Sequence, residues 1–212
     1  MSWGLIALVI VFQPELRRAL EQVGNTNILS AGFLRPRARG ASLREEWRKA
    51  ALAVCDAAER FSDTRTGALM VFEKRSNLSE IIKTGTVLDS EVTQEMLGTI
   101  FYVGTPLHDG AAILRDGRIA AAGCVLPLSD NLEMGKDMGT RHRAALGMSE
   151  NSDAVVVVVS EETGIISLAK NGVLIRRLDR QTLFSLLEGD VVPPAEEEKK
   201  QPFWSFWRKK HE

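Results

Sequence analysis

DAVVVVVS, residues 153–160, is the stretch that most narrows the fold. Five successive valines favour a strand, because β-branched side chains are stiff at χ1 and pack well on a pleated surface. Side chains alternate between the two faces of a strand, so this one has no face to show to water. Such a strand belongs inside a sheet that is covered on both sides, as in α/β proteins.

The neighbouring segments supply the rest of that sheet. GALMVFE (67–73) reads as a strand, and AAILRDGRIAAAGCVLPL (111–128) as two apolar strands joined by Asp116-Gly117, a strong hairpin signal. GIISLAK and VLIRRL flank Asn171-Gly172 as a second hairpin. Ahead of them, SLREEWRKAALAVCDAAERF (42–61) repeats apolar residues at helical spacing, with Ser42 and Glu45 placed as a capping box. A second helix fits 92–104, with Asp89 and Ser90 available as caps, a third fits 141–151, and a capped helix fits 179–189. SNLSEIIKTG (76–85) reads as a short helical or irregular excursion, and 129–139 as a polar loop. The expected fold class is α/β: a single globular domain over 42–190 with a central mixed sheet flanked by helices.

Both ends depart from this pattern. SWGLIALVIVF (2–12) is continuously apolar but shorter than the roughly 20 residues needed to cross a bilayer. Arg17 and Arg18 follow it, as at the cytoplasmic end of a membrane helix. Residues 1–24 are therefore expected to be the end of a transmembrane helix and a juxtamembrane helix, and 25–41 a linker. That places the chain at the cell membrane with its domain facing the cytoplasm. The tail 191–212 begins with prolines and a charge run and ends with Phe203, Trp204, Phe206 and Trp207 beside Arg208, Lys209 and Lys210. It reads as a flexible linker with an aromatic-basic end suited to a membrane interface or to no function. A net charge of −1 argues against a nucleic-acid-binding surface. Cys55 and Cys124 lie far apart in apolar surroundings and read as buried free thiols.

Three polar clusters interrupt the sheet where strands meet turns or helices. They are His108-Asp109-Gly110, Gly139-Thr140-Arg141-His142-Arg143, and Ser160-Glu161-Glu162-Thr163-Gly164. Ligand sites in α/β folds gather at strand ends. The second cluster opens a helix, whose free N–H groups, together with a hydroxyl and two guanidinium groups, suit a polyphosphate. Ser160 offers one more hydrogen bond. Glu161 and Glu162 would repel phosphate unless a divalent cation lay between them. Asp109, facing a bound triphosphate, has two available jobs: holding Mg²⁺ or Mn²⁺, or taking the proton of an attacking hydroxyl. Gly110 and Ala111 would let a nucleotide approach the backbone closely.

PLHDGA (106–111), GTRHRAALGMSE (139–150) and VVSEETG (158–164) closely resemble the signature blocks of the bacterial diadenylate cyclase domain, of the membrane-anchored type. The resemblance implies condensation of two ATP molecules into cyclic di-AMP and two pyrophosphates. Carried over by motif, it makes Asp109, with Gly110 and Ala111, the catalytic segment that activates the ribose 3′-hydroxyl. His108 and Glu162 become metal contacts beside Asp109. Thr140, Arg141, His142, Arg143, Ser160 and Glu161 line the phosphate site, and Leu126 lies against the adenine. The implied cofactor is Mn²⁺ or Mg²⁺. One motif set per chain and a symmetric product imply a homodimer. The membrane segment and tail are places where a regulatory protein could act. The rival reading is a module that senses ATP or a cyclic dinucleotide without turnover, which would have no use for Asp109. Metal-dependent phosphodiester hydrolysis needs more ligands than three histidines and their neighbours supply.

Overall fold

A computed structural model describes residues 36–130 and 138–194. The chain passes through α1 (Pro36–Thr64), β1 (Ala68–Phe72), α2 (Ser79–Ile82), β2 (Thr86–Glu91), α3 (Gln94–Ile100), β3 (Ala111–Arg115), β4 (Arg118–Cys124), α4 (Thr140–Asn151), β5 (Val155–Val159), β6 (Ile166–Lys170), β7 (Val173–Arg176) and α5 (Arg180–Asp190). The strands form one seven-stranded mixed sheet in the order β2-β4-β3-β1-β5-β6-β7. The pair β1–β3 is parallel and every other pair is antiparallel.

The valine strand sits where its sequence requires. Val155, Val157 and Val159 join α1 residues Trp47, Ala51, Val54 and Ala58, and α5 residues Leu183 and Leu187, in one core layer. Val156 and Val158 point the other way, into a layer with Ala144, Ala145 and Met148 of α4. The Trp47 ring reaches across to Phe72 of β1, with centroids 6.1 Å apart. Both hairpin turns carry positive φ at each central residue, 52° and 74° at Asp116 and Gly117, 50° and 72° at Asn171 and Gly172. That is the type I′ geometry whose twist matches paired strands.

Four local readings change. Thr86–Glu91 is an edge strand, with Asp89 at φ 49° where its register with β4 shifts, so Asp89 and Ser90 cap no helix. The cap belongs to Thr93, whose side chain accepts from the Met96 N–H, and the helix stops at Ile100. Helix α1 begins at Pro36, inside the stretch read as linker, so Ser42 is a helical residue that donates to Glu46 Oε1 at 3.2 Å. Val191 and Val192, in the stretch read as tail, are buried against the core. Residues 1–35, 131–137 and 195–212, with the expected membrane segment and the aromatic-basic end, lie outside the described residues. Among those described, no helix is long and apolar enough to cross a membrane.

Both cysteines are fully buried. Burial pushes the Cys55 thiol up to about 12, against a smaller opposing pull from Arg180, and the Cys124 thiol up to about 11. Thiolate is the reactive form, so neither should react at neutral pH. Ellman's reagent is expected to find no thiol in the native protein and both after denaturation. A fast-reacting native thiol would contradict this packing.

Candidate functional site

Strand pairing gathers two of the polar clusters at one end of the sheet, and the start of α4 brings the third beside them. The parallel register of β1 with β3 (Met70 opposite Ala112) puts the starts of both strands together. The antiparallel register of β1 with β5 (Ala68 opposite Val159) adds the end of β5, and Ala111 opposite Cys124 adds the end of β4. His108-Asp109-Gly110, Ser160-Glu161-Glu162 and Leu126 therefore share this end, each within a few residues of a strand terminus.

The His108 segment is held from behind. His108 Nδ1 lies 2.5 Å from the Thr105 carbonyl, and the Thr105 hydroxyl donates to the carbonyls of Ile100 at 3.0 Å and Tyr102 at 2.9 Å. A carbonyl can only accept, so Nδ1 carries the proton and a neutral ring keeps its lone pair on Nε2. Gly110 turns the chain into β3 at φ 120°, a conformation open to glycine. A Cβ there would meet the Gly123 carbonyl carbon at 2.7 Å and the Cys124 oxygen at 2.8 Å. Asp109 is exposed, and its carboxylate has no partner among the described residues. Ala111 is buried as the first residue of β3.

At the same end, Gly139, Thr140, Arg141 and His142 line a small cleft with Val159, Ser160, Glu161 and Glu162. Gly139 caps α4 in extended backbone without a side-chain bond, which leaves first-turn N–H groups available. Arg141 Nη1 donates to Glu161 Oε2 at 2.6 Å, the arginine side chain being 21% exposed and the glutamate 58%. That pair screens the repulsion Glu161 would exert on phosphate. Ser160 is buried, and its hydroxyl accepts from the Thr163 N–H at 3.2 Å, leaving its own proton free to donate. His142 is also buried, within the first turn of α4. Arg143 does not line the cleft: its Nε and Nη2 donate to the Ser129 carbonyl at 3.3 and 3.2 Å. Leu126 is buried after β4, where the Thr84 hydroxyl accepts from the Val125 N–H at 2.9 Å.

The donor types suit a hard divalent cation. The Nδ1 bond of His108 to a carbonyl is the outer-shell arrangement that aims Nε2 at a metal. Asp109 and Glu162 are exposed carboxylates at the same end of the sheet. Among the described residues, no three His, Cys, Asp or Glu side chains converge on one point.

Comparison with known proteins decides the family. Residues 55–174 match the DAC family, described as DisA bacterial checkpoint controller nucleotide-binding. The chain belongs to the DAC family. The cyclic di-AMP synthase CdaA of Bacillus subtilis is 43% identical over 190 residues, covering 90% of this chain and 67% of that protein. A diadenylate cyclase of Listeria monocytogenes is 38% identical over 208 residues, covering 98% of this chain and 73% of that one. Among solved structures, a double mutant of DacA from Staphylococcus aureus superposes with a TM-score of 0.67 at 45% identity over 68% of this chain and 97% of that one. A protein of Bacillus cereus titled as a hypothetical membrane spanning protein gives a TM-score of 0.57 at 44% identity, covering 59% of this chain and 62% of that one.

Within this DAC domain, one feature of the cleft escaped the sequence reading. Gly67, just before β1, leaves space that the Arg141–Glu161 pair fills: a Cβ would lie 2.8 Å from Arg141 Nη1 and 2.9 Å from Glu161 Oε2, so those two side-chain ends would have to move. The available signal was a glycine opening an otherwise apolar strand, a mark of close approach by another group.

Proposed function

We propose that this chain is a diadenylate cyclase, condensing two ATP molecules into cyclic di-AMP and two pyrophosphates at the interface of two facing copies. The observation that carries the reading is the arrival of an exposed Asp109 and the Thr140–Arg141–Ser160 cleft at one end of the sheet of a DAC domain. The names of the Bacillus and Listeria relatives support it.

The triphosphate lies on the α4 N-terminus, with Thr140, Arg141 and Ser160 donating to its oxygens and Leu126 against the adenine. Asp109 takes the proton from a ribose 3′-hydroxyl. That oxygen bonds to the α-phosphorus of the facing ATP, and the bond from the α-phosphorus to the bridging oxygen breaks, releasing pyrophosphate. A second transfer with the two nucleotides' roles exchanged, from the facing 3′-hydroxyl to the first α-phosphorus, closes the ring and releases the second pyrophosphate. Positioning and charge neutralisation dominate such a transfer, so no covalent nucleophile is required. A divalent ion, Mn²⁺ or Mg²⁺, would rest on Asp109 and phosphate oxygens, with His108 Nε2 and Glu162 as the further candidate donors, and would neutralise phosphate charge. Two identical linkages and one motif set per chain call for a two-fold homodimer. The apolar run 2–12 supports attachment to the cell membrane, with the domain on the cytoplasmic side.

Incubation with ATP and Mn²⁺ or Mg²⁺, with products read by mass spectrometry, tests this. Cyclic di-AMP is expected. ATP binding with no product under either metal, in protein shown to be dimeric, would favour the sensing module instead.

A further inference from the structure

Arg143 shares its motif with Arg141 but not its direction. Residues two apart on a helix do not share a face. With Arg141 turned to Glu161 in the phosphate cleft, Arg143 points away, toward the segment that follows β4. We infer that Arg143 is a positioning residue that fixes the nucleobase loop 126–129, and that it is not a phosphate ligand. The inference rests on the functional reading above, which puts Leu126 against the adenine.

Three residues of α4, at i, i+4 and i+7, grip that loop along one stripe. Arg143 donates twice to the Ser129 carbonyl, while the Ser129 N–H donates back to the Arg143 carbonyl at 3.0 Å. Gly147 lets the loop backbone lie directly on the helix: a Cβ would collide with the Pro127 oxygen and lie 2.6 Å from Ser129 N and 2.7 Å from Leu128 C. Glu150 accepts from the Ser129 hydroxyl at 2.8 Å. Ser129 itself is 2% exposed, so the loop end of this clasp is buried, while Arg143 is half-buried and Glu150 reaches the surface. Thr84 holds the other side of the loop through the Val125 N–H. Leu126 lies between these two anchors. For Arg143 to reach a phosphate it would have to release Ser129, freeing the loop that places the base.

The two roles separate by ligand. Affinities for ATP and for inorganic tripolyphosphate, which carries phosphates but no base, are measured by calorimetry in the Asp109→Asn background to prevent turnover. Arg143→Gln is expected to weaken ATP about tenfold, the loss of one or two charge-assisted hydrogen bonds, and to leave tripolyphosphate within about twofold. Arg141→Gln should weaken both ligands. Glu150→Gln, which loosens the same clasp without touching an arginine, should repeat the Arg143 pattern at smaller amplitude. Equal losses of ATP and tripolyphosphate in Arg143→Gln would make it a phosphate ligand and overturn the inference. So would unchanged affinity for both. Failure of the parent protein to bind ATP at all would instead overturn the functional reading, and this inference with it.

Discussion

Asp109→Asn is expected to cut cyclic di-AMP formation by about 10²- to 10⁴-fold, the range that a positioned general base supplies. Asparagine keeps the size and can still accept a hydrogen bond, but it takes no proton at neutral pH. The substitution isolates chemistry from folding because of where Asp109 stands. It is exposed, its carboxylate has no partner among the described residues, and the turn into β3 is set by the next residue. Exposed positions without such ties change stability by about 0.5 kcal/mol or less, so the melting temperature should hold. ATP affinity should fall little if the phosphates rest chiefly on Thr140, Arg141 and Ser160. Full activity in the variant would remove Asp109 as the base. Equal ATP binding by both proteins with no product from either would point to the sensing module, which has no need of this carboxylate.

The valine strand and the two hairpins were legible because each carries its own local instruction. Five β-branched residues in a row leave no wet face, and Asp-Gly or Asn-Gly between apolar runs selects the I′ turn. The three polar clusters were legible as features of strand and helix ends, since chain order alone placed them before Ala111, at the start of α4 and after Val159. Strand β2 was not. It lies at the sheet edge with its side chains mostly exposed and an aspartate in left-handed backbone, so it shows neither alternation nor an apolar run. Its pairing with β4 is decided by the sheet, not by its own residues. The cap at Thr93 was hidden for a related reason: Asp89 and Ser90 are equally good caps by type, and only the end of β2 at Glu91 excludes them. The direction of Arg143 was hidden too. RHR at a helix start reads as one basic cluster, and the loop that claims the second arginine is brought there only by the packing of Gly147.

Gly110→Ala is expected to lower both stability and activity, and the two losses share one cause. Its φ of 120° lies where a side chain is strained, at about 1–3 kcal/mol. The new methyl would also press the backbone of Gly123 and Cys124, which cannot rotate aside as a side chain could. A total of about 3 kcal/mol corresponds to a melting point lower by roughly 6–12 °C in a domain of this size. Relief of the clash moves the start of β3, and with it the neighbouring Asp109, away from β4. A displacement near 1 Å at a reacting group costs on the order of 10²-fold in rate, so activity should fall further than the fraction unfolded explains. Gly98→Ala is the matched control. Gly98 is inside α3, an added Cβ would meet nothing within 4 Å, and alanine is the better helix former by about 1 kcal/mol. It should leave activity unchanged and raise the melting point slightly. If Gly110→Ala instead kept both its melting point and its rate, the tight entry to β3 would not be what holds Asp109, and the base would owe its position to the Thr105–His108 contact alone.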